Sequence, residues 1–198
     1  LGSTLPLDEG DRVVALMVQD PATTRRQEPS HLDFERWRAS LTSVEAVGAF
    51  RTIERNLGTA NGPTGEPVSI AVMTASGFQL ARVPPLLGRP LVEDDEHPGA
   101  VPVVVIGYDV WQSRFGSDPT VVGQQVRLGG VDHTVVGVMP EGFAFPVNHQ
   151  FWTPLPAAAG DDPGEKRPTV FAFARLAPGV TEEAAEAVKA NPLLIRVG

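Results

Sequence analysis

The sequence predicts an α+β fold, a mixed β-sheet with helices packed mainly on one face. Three observations point to it. Apolar runs rich in β-branched residues, at 13–18, 68–74 and 103–106, alternate along the chain with stretches of helical period. Gly129-Gly130 separates two strand-like runs, which is the spacing of a two-residue hairpin turn. No window approaches the roughly 20 apolar residues a membrane helix needs, and 198 residues suffice for one good core or two small ones.

Taken in order, residues 13–18 follow a turn-forming run at Asp8 and read as the first strand, and 21–29 read as a polar connection. Ser30 opens a helix: Asp33 stands three residues on, an imperfect capping box, and Phe34, Trp37 and Leu41 recur at i, i+3 and i+7. Residues 41–49 read as a second short helix capped by Ser43. The helical period is lost at Phe50, so 50–55 read as a half-exposed strand. Its hairpin partner is 68–74, across a loop NLGTANGPTGEP punctuated by glycine and proline. Ser76 is placed to cap a helix over 77–82, and Pro84-Pro85 ends it.

The densest block lies at 101–146. The wholly apolar run 103–106 suits a strand buried on both faces. Tyr108, Trp111 and Phe115 then mark one helix face, and Gly116 stands where a left-handed residue would stop the helix. Asp118-Pro119 offers a cap and a first-turn proline for a brief helical turn over 119–122, closed by Gly123. Residues 124–128 and 131–138 flank Gly129 and Gly130 as a hairpin. Pro140, Gly142 and Pro146 fix the turn that hands its second strand back across the core. Beyond the block, 157–167 read as a loop, and 169–176 as a strand with Phe171 and Phe173 on one face. Thr181 caps a closing helix that carries Glu182 and Glu183 in its first turn. Pro192 forbids continuing that helix, so the apolar pentamer 193–197 is expected to add to the sheet as an edge strand.

The run from Leu87 to Pro146 resembles the periplasmic core domain of MacB-type ABC transporter permeases. LGRP, which includes Gly88, is intact. So are W-x-x-x-F-G, which supplies Trp111, Phe115 and Gly116, and VVGVMPEGFAFP, which supplies Gly137, Pro140, Gly142, Phe143 and Pro146. The likeness extends to SHLDFERWRA near Ser30, FQLARVPPLLGRP at Phe78, FWTPL at Phe151 and ARLAPGVTEEAAE at Ala174. Relatives usually carry Ser where this chain has Gly107, a substitution that costs little at a cap. The resemblance implies one core domain over 1–198, made of a porter-like subdomain and a small second α/β subdomain, with the central block at about 75–150. Relatives continue with further elements after the PGVT helix, which implies residues missing after Ala190 or a truncated second subdomain. It also implies the periplasmic part of a bacterial inner-membrane permease, carried between membrane helices outside this segment. The permease would be a homodimer, driven by a cytoplasmic ATP-binding domain or subunit, contacting a periplasmic adaptor or cargo, and coupling ATP hydrolysis to efflux by mechanotransmission.

Composition bounds the alternatives. With no cysteine, disulfide scaffolds, thiolate zinc sites and cysteine nucleophiles are excluded. A net charge of -8 disfavours nucleic acid as a partner. Glu93, Asp94, Asp95 and Glu96, followed by His97, could ligate a hard metal. Consecutive carboxylates diverge, however, and no EF-hand glycine or closing glutamate follows, so a solvated loop is the better reading. The histidines are scattered, and no phosphate-binding glycine loop or nucleophile elbow is present. Trp111, Phe115, Phe143 and Phe145 could form an aromatic platform for a ligand, but their spacing beside valine-rich strands is better explained by core packing. No catalytic residue, metal site or cofactor is expected. A ligand-binding module and a metal-dependent hydrolase are the alternatives to the transporter reading.

Overall fold

A computed structural model describes residues 7–20, 22–59, 62–157, 168–181 and 192–196. Its strands and helices run, in chain order, β1 (Val13–Gln19), β2 (Arg26–Gln27), α1 (His31–Ser40), β3 (Val44–Thr59), β4 (Gly62–Met73), α2 (Ala75–Ala81), β5 (Leu87–Gly88), β6 (Val103–Ile106), α3 (Tyr108–Phe115), β7 (Gln125–Leu128), β8 (Val131–Val138), β9 (Phe151–Pro154), β10 (Phe171–Leu176) and β11 (Pro192–Arg196). All strands join one mixed sheet in the order β11-β1-β10-β3-β4-β9-β6-β8-β5, with β2 paired to β1 and β7 to β3 and β8. Because β7 pairs with β3 through Leu57 and Leu128, the run β3-β4-β9-β6-β8-β7 closes on itself by a single residue pair.

Strand alternation sorts the apolar side chains into two cores, one on each face. In β6, Val104 and Ile106 join one, with Phe34 and Trp37 of α1 and Val110 of α3. Val103 and Val105 join the other, with Phe78 and Leu80 of α2, Phe143, Phe145, Trp152 and Phe173. Two helices therefore cover one face and α2 covers the other. This explains why β6 is apolar at every position: it has no wet side. Where α2 crosses β3, a Cβ on Gly48 would lie 3.0 Å from the Gly77 backbone and 2.6 Å from the Phe173 ring. The crossing is that close because both residues are glycine.

Several elements follow the sequence signals. The Ser30 capping box is complete: the Ser30 hydroxyl accepts from the Asp33 amide, and the Asp33 carboxylate accepts from the Ser30 amide at 2.9 Å. Gly129 and Gly130 take φ of 59° and 83° in the β7–β8 turn, and residues 192–196 pair antiparallel with β1.

Others differ. Residues 41–49 are no second helix. From Val44 they form the first half of β3, paired with β10, and the β-branched Val44 and Val47 gain more from that pairing than Ser43 gains as a cap. Much of NLGTANGPTGEP is strand, since β3 and β4 continue as a ribbon to Thr59 and from Gly62. Helix α2 starts earlier than expected, with Thr74 rather than Ser76 at its N-cap. Residues 119–122 form turns held by Asp118, whose carboxylate accepts from the Thr120 amide at 2.8 Å. Strand β9 was not foreseen, being four residues long between prolines. The expected helix after Thr181 and the loop at 157–167 lie almost wholly outside the described residues.

Candidate functional site

The central block is assembled around α3, but its aromatic residues do not converge. Trp111 and Phe115 are only half-buried against one core, and Val110 is the fully buried residue of the helix. Phe143 and Phe145 lie in the other core across the sheet, so the four cannot form one platform. The Trp111 indole N–H donates to the Asp118 carbonyl at 2.8 Å, which ties the helix to the turn after Gly116, itself at φ 58°. Gly142, at φ 79°, sits in a turn closed by the Phe143 amide donating to the Pro140 carbonyl at 3.2 Å. Pro146 follows through a cis bond. Gly88 and Gly137 mark a close approach of two backbones: a Cβ on Gly137 would stand 2.1 Å from the Arg89 carbonyl, and one on Gly88 2.1 Å from that of Val136. Gly107 carries no side-chain cap, and the space its Cβ would take is filled by the Gln150 side chain, 1.9 Å from that point.

Two clefts flank α3. The larger, about 490 Å³, lies between α3, β7 and the far end of the β3 ribbon. Leu57, Val110, Phe115, Val126 and Phe151 contribute its apolar lining, with Arg114 and Arg127 beside them. Both arginines are already paired, Arg114 with Glu66 and Arg127 with Asp132 at 2.9 Å. The smaller, about 220 Å³, touches Tyr108, Asp109, Pro140, Phe143 and Gln150.

The acidic run forms a 3-10 turn, Glu93–Glu96, whose carboxylates diverge. Asp95 takes a two-pronged contact from Arg89 at 2.8 and 2.9 Å and accepts from the Val92 amide. Burial alone would raise the Asp95 carboxyl, but Arg89 and the Val92 amide outweigh it and hold it below its ordinary value. Glu96 is buried and accepts from the Ala75 amide at 2.6 Å, the start of α2, with Arg38 of α1 at 3.6 Å. Burial pushes its carboxyl up, against the pull of Ala75 and Arg38. Both groups fasten segments together. No three His, Asp or Glu side chains converge to hold a metal among the described residues.

The charged cluster that sequence reasoning missed lies at the other end of the sheet. Arg12, Glu9, Arg82 and Glu45 form a ring in which each carboxylate meets both arginines: Arg12–Glu9 2.6 Å, Arg12–Glu45 2.5 Å, Arg82–Glu9 2.8 Å, and Arg82–Glu45. Beside it Arg175 is 1 % exposed. Its guanidinium donates to the Leu80 carbonyl at 3.0 and 2.9 Å, and to the Asp8 and Glu9 carbonyls at 2.9 and 3.1 Å. Burial, then repulsion from Arg82 and Arg12, draws its affinity for a proton below the ordinary arginine value. A signal was present in the sequence. Phe171, Phe173 and Arg175 alternate onto one strand face, so a strand with its aromatics turned inward must bury that arginine.

The fold is an α+β domain, and among the described residues these charged clusters join segments of chain. A family profile described as the MacB-like periplasmic core domain matches residues 4–191, so the chain belongs to that family of extracytoplasmic domains of ABC transporter permeases. No curated protein matches the chain. Among solved structures, the periplasmic region of MacB from Actinobacillus actinomycetemcomitans is similar, with a TM-score of 0.64 at 14% identity over 93% of this chain and 88% of that one. The extracellular domain of the noncanonic ABC-type transporter YknZ from Gram-positive bacteria gives 0.61 at 12% identity, over 92% and 99%. At such identities these two structures speak to the fold.

Proposed function

We propose that this domain transmits movement: ATP hydrolysis in a cytoplasmic nucleotide-binding domain or subunit shifts it, and it acts in turn on an adaptor or cargo outside the membrane. The observation that carries the reading is the family match across residues 4–191. The topology supports it. Strands β1 and β11 run antiparallel with Val14 opposite Arg196, so the start of β1 and the end of β11 lie at the same end of the sheet. Membrane helices attached on both sides would pull on that one end. At the opposite end, the β3–β4 ribbon and the Gly129-Gly130 turn project side by side, joined where the Gly129 amide donates to the Asn56 carbonyl at 2.9 Å. We take the domain to be rigid along this axis, with two lobes, β11-β1-β10-β3-β4 and β6-β8-β5, joined by β9 and by the pairing of β7 with β3. Two copies work as a pair, and the isolated chain is monomeric because the pair is held together elsewhere.

The test uses the full-length transporter in liposomes, with a spin label on a cysteine replacing Ser69 in the ribbon of each copy. The distance between labels should change by several ångströms between the nucleotide-free state and the state trapped with ATP and vanadate. A distance distribution unaltered by nucleotide would overturn the reading.

A further inference from the structure

From the geometry at the terminal end of the sheet, we infer that Arg175 and the Glu9–Arg12–Glu45–Arg82 ring form a mechanical coupling that passes displacement of the lead-in residues 7–12 to the C-terminus of α2. The inference rests on the transmission reading above and names the route within it.

The residues involved come from segments far apart in sequence: the lead-in turn, the start of β3, the end of α2 and the end of β10. Strand pairing does not join the lead-in to α2, which lie on different elements of the fold. The guanidinium of Arg175 does, because one planar fork reaches the Leu80 carbonyl with two N–H groups and the Asp8 and Glu9 carbonyls with another. A buried cation without a carboxylate in contact is unfavourable unless fixed dipoles replace its hydration. Here the replacements are the Leu80 carbonyl in the last turn of α2, where a cation is favoured, and the Asp8 and Glu9 carbonyls of the lead-in turn. Withdrawing the lead-in would strip the cation of two of its four hydrogen bonds, so the two segments move together.

The ring adds a second tie over the same gap. Arg12 also donates to the Leu176 carbonyl at 3.0 Å, which fixes it to β10. Two ring members are non-glycine residues in the left-handed region: Glu9 at φ 47° and Arg82, the α2 C-cap, at φ 57°. Such conformations persist where surrounding contacts determine them. Glu9 lies within the lead-in and Arg82 ends α2, so each coupled segment holds one of them. From α2 the chain connects onward through the Ala75 amide to Glu96, and through Glu96 towards Arg38 of α1. Displacement reaching α2 is thereby presented to both faces of the sheet.

The experiment is a coupling cycle read by amide hydrogen exchange on the 198-residue chain. Gly10→Pro removes the Gly10 amide, which donates to the Leu7 carbonyl, and so loosens the lead-in turn. Exchange of the Arg82 amide, bonded to the Phe78 carbonyl at 3.2 Å, should then accelerate at least tenfold, while the β6 amides stay within twofold. In an Arg175→Lys, Arg82→Gln background, which removes both the guanidinium fork and the α2 member of the ring, the same Gly10→Pro change should alter exchange of the amide at position 82 by less than twofold. Equal acceleration in both backgrounds would overturn the inference. So would an Arg82 amide unmoved by Gly10→Pro in the otherwise unchanged chain, a result that does not depend on the double variant folding. Failure here leaves the nucleotide-dependent distance change intact. A fixed distance with the exchange coupling present would count against the transmission reading alone.

Discussion

Replacing Trp152 by alanine should produce one of the largest single-residue losses of stability in this domain. Trp152 is 0 % exposed on β9, opposite Ala71 of β4 and Val105 of β6, and so lies where β9 joins those two strands. Its ring centroid lies 5.3 Å from Phe143 and 6.3 Å from Phe78, and its indole N–H donates to the Phe145 carbonyl at 3.1 Å. Truncating a fully buried tryptophan costs about 3–5 kcal/mol, a sum of lost transfer free energy and the residual cavity. Leaving the Phe145 carbonyl without its donor adds about 1 kcal/mol. A total of about 4–6 kcal/mol is a large share of a typical domain's stability of roughly 5–15 kcal/mol, and corresponds to a fall in Tm of roughly 8–24 °C at this chain length. Urea unfolding followed by far-ultraviolet circular dichroism measures it without relying on the fluorophore being removed. Trp111→Ala is the control: its ring is half-buried, and about 1–2 kcal/mol is expected from roughly half the burial term. Equal losses for the two variants, or a loss below about 2 kcal/mol for Trp152→Ala, would refute the placement of Trp152 at the centre of this core.

Gly137→Ala should destabilise by about 1–3 kcal/mol and free the Arg89 amide, which donates to the Val136 carbonyl at 2.9 Å, because the new Cβ would meet the Arg89 backbone at 2.1 Å. Faster exchange at Arg89 than at β6 checks this. Asp95 has its carboxyl lowered, so its contribution is present above the ordinary value of 3.8 and lost as pH falls through its folded value. Asp95→Asn should therefore be less stable than the parent at pH 6, and the gap should shrink on acidification below pH 3.8. Glu96 has its carboxyl raised, so its ionisation costs stability as pH rises above 4.5, and the stability of Glu96→Gln relative to the parent should improve over that rise. Unfolding midpoints measured across pH test both signs. Deleting residues 192–198 strips the antiparallel partner from Val14 to Val18 and should lower both Tm and soluble yield; a truncated chain with unchanged values would contradict the β1–β11 pairing.

How much could be read in advance depended on whether a signal was local. The hairpin at Gly129-Gly130, the strand at 103–106, the helix stopped by Gly116 and the Ser30 cap are each written in a few adjacent residues. Residues 41–49 were misread because their cap signal is local while the pairing that wins, Val44 to Phe50 against β10, spans more than a hundred residues of sequence. Within α3 the period was right and the phase was off: the buried position is Val110 because β6 and β9 lie on that side, leaving Trp111 at the edge, free to hold the Asp118 turn. The charged ring was the least visible feature. Neither Glu9 nor Glu45 sits in a motif, and only the fold brings them to Arg12 and Arg82. Arg175 alone was legible, as a charge on the aromatic face of a strand.

The account stands on this domain lying outside the cytoplasm, and the absence of cysteine from the chain makes that directly measurable. In the full-length protein expressed in intact cells, Val101→Cys, at a position 70% exposed, should be modified by a small membrane-impermeant maleimide, with the site confirmed by peptide mass. Val105→Cys, at a position 0% exposed, should react only after denaturation. Protection of Val101→Cys in intact cells, with full reaction once the membrane is broken, would place the domain on the cytoplasmic side and contradict the account.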